Sequence, residues 1–339
     1  MKKTLFLAFL VLCAALLGWC LGCGPAPEPA PAFMLTPTPA PTATLVPTAT
    51  PAPTPFSIVW MSDTQLYTSS YPDILPAMTQ WVTDNREKEN IVCLVHTGDL
   101  LQAGFNEVQQ QRLTDAVKLL PKDLLCVTAA GNHDRALVAP FYRYYADYRF
   151  DTALVPEQSI YDGECSYVTF EAGDMKLLLL SVAYLREKDC VDWANQVLAA
   201  HPDRYAILLV HSYLDPLLDD YNDGYTSSGD TLLSKVVSVS PNLRMVLCGH
   251  MHGVCYRAAE LDDNGDGETD RLVQQMMFNP QEDVLGGGGY LRLLTFHPEN
   301  DTVEILSYSP YLDVYGIPGD PFGKTYTLTD CGLSLYKEE

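Results

Sequence analysis

The chain has 339 residues, enough for one sizeable core or two small ones. Its formal net charge of −22 argues against a nucleic-acid-binding surface, because phosphate backbones are held by an excess of Lys and Arg. The same charge repels phosphate-bearing molecules at long range, so chemistry on phosphate would need a strong local positive charge.

The amino terminus reads Met1-Lys2-Lys3 and then an apolar run from Leu5 to Leu21, the charged and hydrophobic regions of a secretory signal. The run also approaches the length of a short spanning helix, which would make it a retained anchor. Leu21-Gly22-Cys23 resembles a bacterial lipobox, whose cysteine is lipidated and becomes the first residue of the mature chain; Cys20 departs from the leucine usual at that place. Residues 1–23 are therefore expected to be a leader ending in a lipidation site. Lipoprotein, anchor and secreted protein all place the rest outside the cytoplasm, with the membrane touched only through the lipid or leader. Residues 24–55 are Pro, Thr and Ala with almost no charge, a composition that cannot bury enough apolar surface to fold. As polyproline II such a linker spans up to roughly 100 Å.

Cys13, Cys20 and Cys23 belong to the leader, and the other cysteines are odd in number. Cys93, Cys126 and Cys248 sit in apolar runs and read as small core residues. Cys165 and Cys190 could pair in an oxidising compartment.

From residue 56 to 339 apolar strand-like runs alternate with helical patterns, so the fold class is α/β. A strand over Phe56–Met61 ends at Asp63-Thr64-Gln65, and a helix follows from about Pro72 with Ile74, Leu75, Met78 and Val82 on one face. Ile91–Val95 is a strand buried on both faces, ending at His96-Thr97-Gly98-Asp99. Asn106 is placed to cap the next helix, and Leu124–Ala130 ends at Gly131-Asn132-His133-Asp134. A hairpin is predicted around Gly173-Asp174, then a helix carrying Trp193 and Val197. Tyr205–Val210 stops at His211, a helix holds Leu232 and Val236, and Val246-Leu247-Cys248 runs into Gly249-His250-Met251-His252. Beyond that point the pattern is β: Cys255–Leu261, Leu272–Phe278, Tyr290–Phe296 and Val303–Tyr308.

Five strands thus end in a group able to hold a metal, namely Asp63, Asp99, Asn132, His211 and His250. In open α/β sheets ligands bind beyond the carboxyl ends of strands. Mixed nitrogen and oxygen donors suit Zn, Mn or Fe. With Gln65 and His252 the donors are too many for one tetrahedral ion but enough for two ions sharing a carboxylate. Two such ions hold a hydroxide between them and clamp the oxygens of an in-line displacement.

In their order along the chain, Asp63, Gly98-Asp99, Gly131-Asn132-His133-Asp134, His211 and Gly249-His250-Met251-His252 resemble the calcineurin-like metallophosphoesterase superfamily, over about Ile58 to Gly253. The resemblance implies a four-layer α/β/β/α sandwich with two mixed β-sheets and the active site at the strand C-terminal ends. It implies two divalent metal ions (Mn, Fe or Zn), one held by Asp63, Gln65, Asp99 and His252, the other by Asp99, Asn132, His211 and His250. It makes His133 the catalytic residue that protonates the leaving oxygen or stabilises charge, and a phosphate ester the substrate, attacked by the metal-bridging hydroxide. Gln65 stands where the family usually has histidine; it could ligate, contact through water, or leave that metal loosely held. Leu100-Leu101-Gln102-Ala103-Gly104 lacks the arginine that protein phosphatases of this type carry there. The competing reading is a non-catalytic surface binding protein on the same scaffold.

Several features read as structural. Asp262-Asp263-Asn264-Gly265-Asp266-Gly267 looks like half of a calcium loop, but Val273 stands where a bidentate Glu is required, so a tight turn is expected. Gly286–Gly289 reads as a flexible loop at the rim of the cleft, Asn279-Pro280-Gln281 as an ordinary turn that could also reach that rim, and His96 as buried support. Asp134 either orients a neighbour or caps a helix. The tail from Tyr308 to Tyr336 carries no readable motif.

Overall fold

The structure is a computed structural model and describes residues 54–134, 158–218, 224–320 and 322–337. The predicted leader with Cys23, and the linker up to residue 53, lie outside the described residues.

The elements run β1 (Phe56–Met61), α1 (Gln65–Ser69), α2 (Ile74–Asn85), β2 (Ile91–His96), α3 (Glu107–Val117) and β3 (Leu125–Thr128). Then follow β4 (Ser159–Ile160), β5 (Cys165–Ala172), β6 (Met175–Val182), α4 (Val191–Ala200), β7 (Tyr205–Val210) and α5 (Ser227–Leu232), which continues as a π-helical turn over Leu233–Val237. The chain closes with β8 (Leu243–Cys248), β9 (Gly253–Leu261), β10 (Arg271–Asn279), β11 (Leu291–His297), β12 (Thr302–Ser309), β13 (Val314–Tyr315) and β14 (Thr325–Leu328).

Two mixed sheets result. One has the order β13-β12-β11-β1-β2-β3, with β14 also paired to β12; the other is β4-β5-β6-β7-β8-β10-β9. β1, β2 and β3 are parallel, as are β6, β7, β8 and β10. Strand periodicity of two sorts their residues into layers. Phe56, Ile58 and Trp60 of β1 join Leu177, Leu179, Ile207, Leu209, Met245 and Leu247 of the other sheet in one core. Val59 and Met61 of β1 turn the other way, onto Ile74, Leu75 and Met78 of α2 and Leu113 of α3. On the far side Leu178, Leu208 and Val246 pack with Val197 of α4 and Leu232 of α5. The expected helix–sheet–sheet–helix arrangement is therefore present, and strands buried on both faces explain the unbroken apolar runs.

The Asn106 side chain caps α3 by accepting from the N–H groups of Val108 and Gln109 at 3.0 and 3.2 Å. The acidic turn between β9 and β10 is closed by its own carboxylates: Asp262 accepts from Gly265 and Gly267, and Asp270 from Asp263 and Asn264. Cys165 and Cys190 are buried free thiols in one core layer, and Cys190 Sγ donates to Glu187 O at 3.9 Å.

One expectation needs correction. Gly286–Gly289 do not form a loose loop; all four are buried. A Cβ on Gly286 would stand 2.9 Å from Leu66 Cβ, and one on Gly287 2.8 Å from the Tyr67 hydroxyl, so the turn is packed down on α1. Glycine richness here reflects close approach rather than freedom to move.

Candidate metal centre

The carboxyl ends of β1, β2, β3, β7 and β8 meet across the gap between the sheets, and backbone bonds join their turns. Asp63 N–H donates to Gly98 O and Gly249 N–H to His211 O, both at 3.0 Å. Asp63, Asp99 and His250 each take a left-handed backbone conformation, with φ of 51, 58 and 69°. Asp and His tolerate this region better than most residues, at a cost of about 1 kcal/mol or more each. The kink turns each side chain off its strand and into the cleft.

Glycines make room for these carboxylates. Gly98 has φ of 106°, and a Cβ there would lie 2.7 Å from His211 Nδ1. Gly131 and Gly249 need no special φ, but a Cβ on either would come within 2.1 Å of an oxygen of Asp99 or of Asp63 respectively. The Gly-Asp, Gly-Asn and Gly-His pairs in the sequence are thus steric requirements of the site.

Asp63, Asp99 and His211 are all buried, with ligand atoms within 4.8 Å of one another, close enough to hold one metal ion. His211 Nδ1 donates to Thr97 O at 2.9 Å, because a carbonyl only accepts. Its Nε2, which carries a lone pair whenever the ring is neutral, faces Asn132 Oδ1 at 3.0 Å, His250 Nδ1 at 3.2 Å and Asp99 Oδ2 at 3.4 Å. Lone pairs of this kind repel unless a proton or a cation lies among them. Burial by itself would lower the His211 imidazole, but Asp99 and Asp63 outweigh it and lift it to about 9. Burial pushes Asp63 up to about 7, with Asp99 adding to the rise. Burial also disfavours the charged form of Asp99, yet His211 and the His133 N–H hold its carboxyl below the usual range. His250 is pushed down to about 4 by burial and by His211. The donor set thus favours positive charge at its centre and fits a divalent cation.

Other residues brace it. Asp134 accepts from the N–H groups of Asp99 (2.7 Å), Leu100 (2.8 Å), Gly131 (3.0 Å) and Leu101 (3.2 Å). It orients its neighbours; the helix it would cap in its other sequence reading lies outside the described residues. His96 is fully buried: its Nδ1 accepts from Gly98 N–H and its Nε2 meets Thr64 Oγ1, both at 3.1 Å. Burial pushes it down to about 3, so it stays neutral. His133 Nδ1 donates to Gln102 O at 3.0 Å, and its backbone N–H donates to Asp99 Oδ1 at 2.8 Å.

Two of the residues singled out in the sequence bond to other partners. The Gln65 amide lies between backbone carbonyls. With its nitrogen inward it donates to Asp63 O at 2.7 Å and Asp99 O at 3.1 Å, leaving its oxygen toward the Gln281 side chain. The opposite orientation bonds Gln281 alone and sets the amide oxygen against two carbonyl oxygens, so the inward one is favoured. His252 is half-exposed and its Nδ1 pairs with Glu282 Oε1 at 2.6 Å.

Sequence reading passed over Tyr184 and favoured an ordinary turn for Asn279 and Gln281 over a place at the rim. Asn279 Nδ2 donates to His250 O at 3.1 Å, from the end of β10 beside β8. Its Asn-Pro-Gln segment reads as an ordinary turn until the sheet order is known. The Tyr184 ring lies against those of His211 and His250, with centroids 5.8 and 5.3 Å apart. Its signal was available, since Tyr184 also follows the carboxyl end of a parallel strand.

Two mixed sheets with acidic and imidazole donors at their strand ends define a metallophosphatase fold. The same fold occurs in a dimetal phosphatase from Danio rerio (TM-score 0.51, 12% identity, covering 81% of this chain and 99% of that one). It occurs also in the purple acid phosphatase PPD1 of yellow lupin (TM-score 0.51, 14% identity, 81% of this chain and 54% of that one). The chain belongs to the calcineurin-like phosphoesterase family, whose sequence profile matches residues 56–254. It is 36% identical over 262 residues to the uncharacterized protein YvnB of Bacillus subtilis, a match that covers 76% of this chain and only 20% of that protein's length. It is 24% identical over 213 residues to the 3',5'-cyclic adenosine monophosphate phosphodiesterase CpdA of Escherichia coli K12 (61% of this chain, 72% of that one). These relationships support a phosphoric ester hydrolase in general.

Proposed function

We propose that the chain hydrolyses a phosphate ester with two divalent cations, Mn, Fe or Zn, and does so outside the cytoplasm behind a lipid-bearing or secretory leader. Asp63 and Asp99 with His252 would hold one ion; Asp99, Asn132, His211 and His250 would hold the other. Gln65 either adds a donor to the first set or, as its bonds to Asp63 O and Asp99 O favour, braces the two aspartate turns. The observation that carries the reading is the buried cluster of Asp63, Asp99 and His211, whose ligand atoms lie within 4.8 Å of one another, with Asn132 Oδ1 and His250 Nδ1 facing His211 Nε2 at 3.0 and 3.2 Å.

Bound there, the cations supply positive charge to phosphate oxygens and activate water as the nucleophile. The chain's own groups do the rest. The Thr97 carbonyl keeps the His211 proton on Nδ1, so Nε2 remains a donor of electrons. Asp134 fixes the turn that carries Asp99. The Gln102 carbonyl fixes the His133 ring, leaving Nε2 to pass a proton to the departing alcohol oxygen.

The test is His250→Ala, with metal content and hydrolysis of an aryl phosphate ester measured together. Loss of both is expected; unchanged activity would overturn the proposal. A second reading, a binding protein on this scaffold, draws on the Gln65 amide being spent on backbone carbonyls. It predicts a purified wild-type protein without metal.

A further inference from the structure

A carboxylate turns about its side-chain bonds, so a metal ligand needs an anchor as well as a place in the cleft. Asp63 has an anchor that reaches back into the core between the two sheets. The Trp60 indole N–H donates to Thr97 Oγ1 at 3.0 Å, the Thr97 hydroxyl donates to Ser62 Oγ at 2.6 Å, and the Ser62 hydroxyl donates to Asp63 Oδ2 at 2.5 Å. Trp60 and Thr97 are fully buried and Ser62 nearly so, which keeps bulk water from competing for these bonds.

The direction of this chain of bonds is fixed at both ends. An indole N–H only donates and an ionised carboxylate only accepts, so each hydroxyl between them accepts on one side and donates on the other. The three bonds therefore run head to tail with their positive ends toward Asp63, and such bonds strengthen one another by about 10–30% each. The indole at the head is held in place by its neighbours: the Phe278 ring lies 5.3 Å from it and the Arg292 guanidinium 5.8 Å.

Thr97 serves two of the buried ligands at once. Its hydroxyl acts on Asp63 through Ser62, and its carbonyl accepts from His211 Nδ1 at 2.9 Å. Its own N–H donates to Met61 O at 3.1 Å, which ties the end of β2 to the end of β1. At the far end Asp63 Oδ2 accepts from both the Ser62 hydroxyl and the His250 N–H (3.2 Å), whereas among the described residues Oδ1 accepts from the His250 N–H alone, at 3.3 Å. Ser62 thus ties down one carboxylate oxygen and leaves the other the freer of the two to bind a cation.

We propose that Ser62, Thr97 and Trp60 are positioning residues, a one-way chain of hydrogen bonds that fixes Asp63 Oδ2 and so presents Oδ1 to the metal ion with the carboxylate already oriented. The inference rests on the hydrolase reading above and adds to it three residues outside its donor set. Removing a group that orients a metal ligand weakens metal binding by about 10–100-fold.

The test titrates metal-free protein with Mn(II) and with Zn(II), for wild type, Ser62→Ala, Thr97→Val and Thr97→Ser, with melting curves in chelator to show that each is folded. Valine keeps the shape of threonine and loses the hydroxyl; serine keeps the hydroxyl and loses a buried methyl group. A packing role for Thr97 therefore makes Thr97→Ser the more damaging change, and a positioning role makes it Thr97→Val. The expected result is one site weakened by about 10–100-fold in Ser62→Ala and Thr97→Val, and affinity within about threefold of wild type in Thr97→Ser. Should Thr97→Val fail to fold, Ser62→Ala decides alone. Wild-type affinity in Ser62→Ala or in Thr97→Val, or a Thr97→Ser protein as weak as Thr97→Val, overturns the positioning chain and leaves the hydrolase reading standing. A wild-type protein that takes up none of Mn, Fe and Zn removes both.

Discussion

A methyl group at residue 249 is the sharpest probe of the centre. In Gly249→Ala the new Cβ would fall 2.1 Å from Asp63 Oδ2 and 2.2 Å from Ser62 Oγ. Carbon and oxygen do not approach within 3.0 Å, so the carboxylate must retreat by roughly 1 Å or the His250 turn must back away by as much. Neither group is free to yield. Ser62 Oγ donates to Asp63 Oδ2 at 2.5 Å, and the His250 N–H donates to both Asp63 oxygens at 3.2 and 3.3 Å. Coordination bonds are only about 2.0–2.2 Å long, so a displacement of this size removes Asp63 from a ligand set. Misplacement by about 1 Å costs about a hundredfold in rate, near 2.7 kcal/mol. Gly265→Ala, with nothing within 4 Å of its Cβ, is the control for general backbone strain. Elemental analysis and ester hydrolysis are measured for both on protein shown to be folded by its melting curve. A Gly249→Ala protein that binds metal like wild type and keeps its rate within a factor of two would refute the steric argument.

Further outcomes follow from the supports. Asp134→Ala strands four backbone N–H groups around Asp99 and should lower stability in urea by roughly 3 kcal/mol or more, against almost nothing for Asp123→Ala on the surface. His96 titrates at about 3 when folded against 6.5 in the unfolded chain, so the unfolded state takes up its proton first. Its contribution to stability is full above 6.5 and is lost as pH falls toward 3, reaching about 2 kcal/mol lost near pH 5. In chelator, to remove metal effects, His96→Asn should lose that much less than wild type between neutral pH and about pH 5. Arg292 and Asp320 form a wholly buried pair at 2.9 Å. Asp320→Ala should therefore cost about 3–5 kcal/mol by leaving the guanidinium unpaired, and a double change with Arg292→Met should recover much of it in the same urea titration. Stripping metal from the purified protein should lower its melting temperature as well as abolish hydrolysis, with both restored by adding back Mn or Zn; an unchanged melting curve would argue against a structural stake in the ions.

The sequence by itself determined the strands and the donors at their ends. Burial on both faces writes unbroken apolar runs such as Ile91–Val95 and Tyr205–Val210, and each run stops at a polar group because the cleft lies beyond it. Asn106 as a cap and the acidic turn after Leu261 were legible for the same reason: their bonding is local. Only the tertiary structure decided what those groups face. Insertion of β10 between β8 and β9 brings Asn279 to His250 and Gln281 to Gln65, partners far apart in the chain. Arg292 sits in an apolar run as though misplaced, and its partner lies on a loop beyond two further strands. His252 turns to Glu282, and Gly286–Gly289 pack on α1, for reasons no neighbour in sequence supplies. Periodicity records how deeply each residue is buried along one element; which elements become neighbours is set by sheet order, and sheet order leaves no local trace.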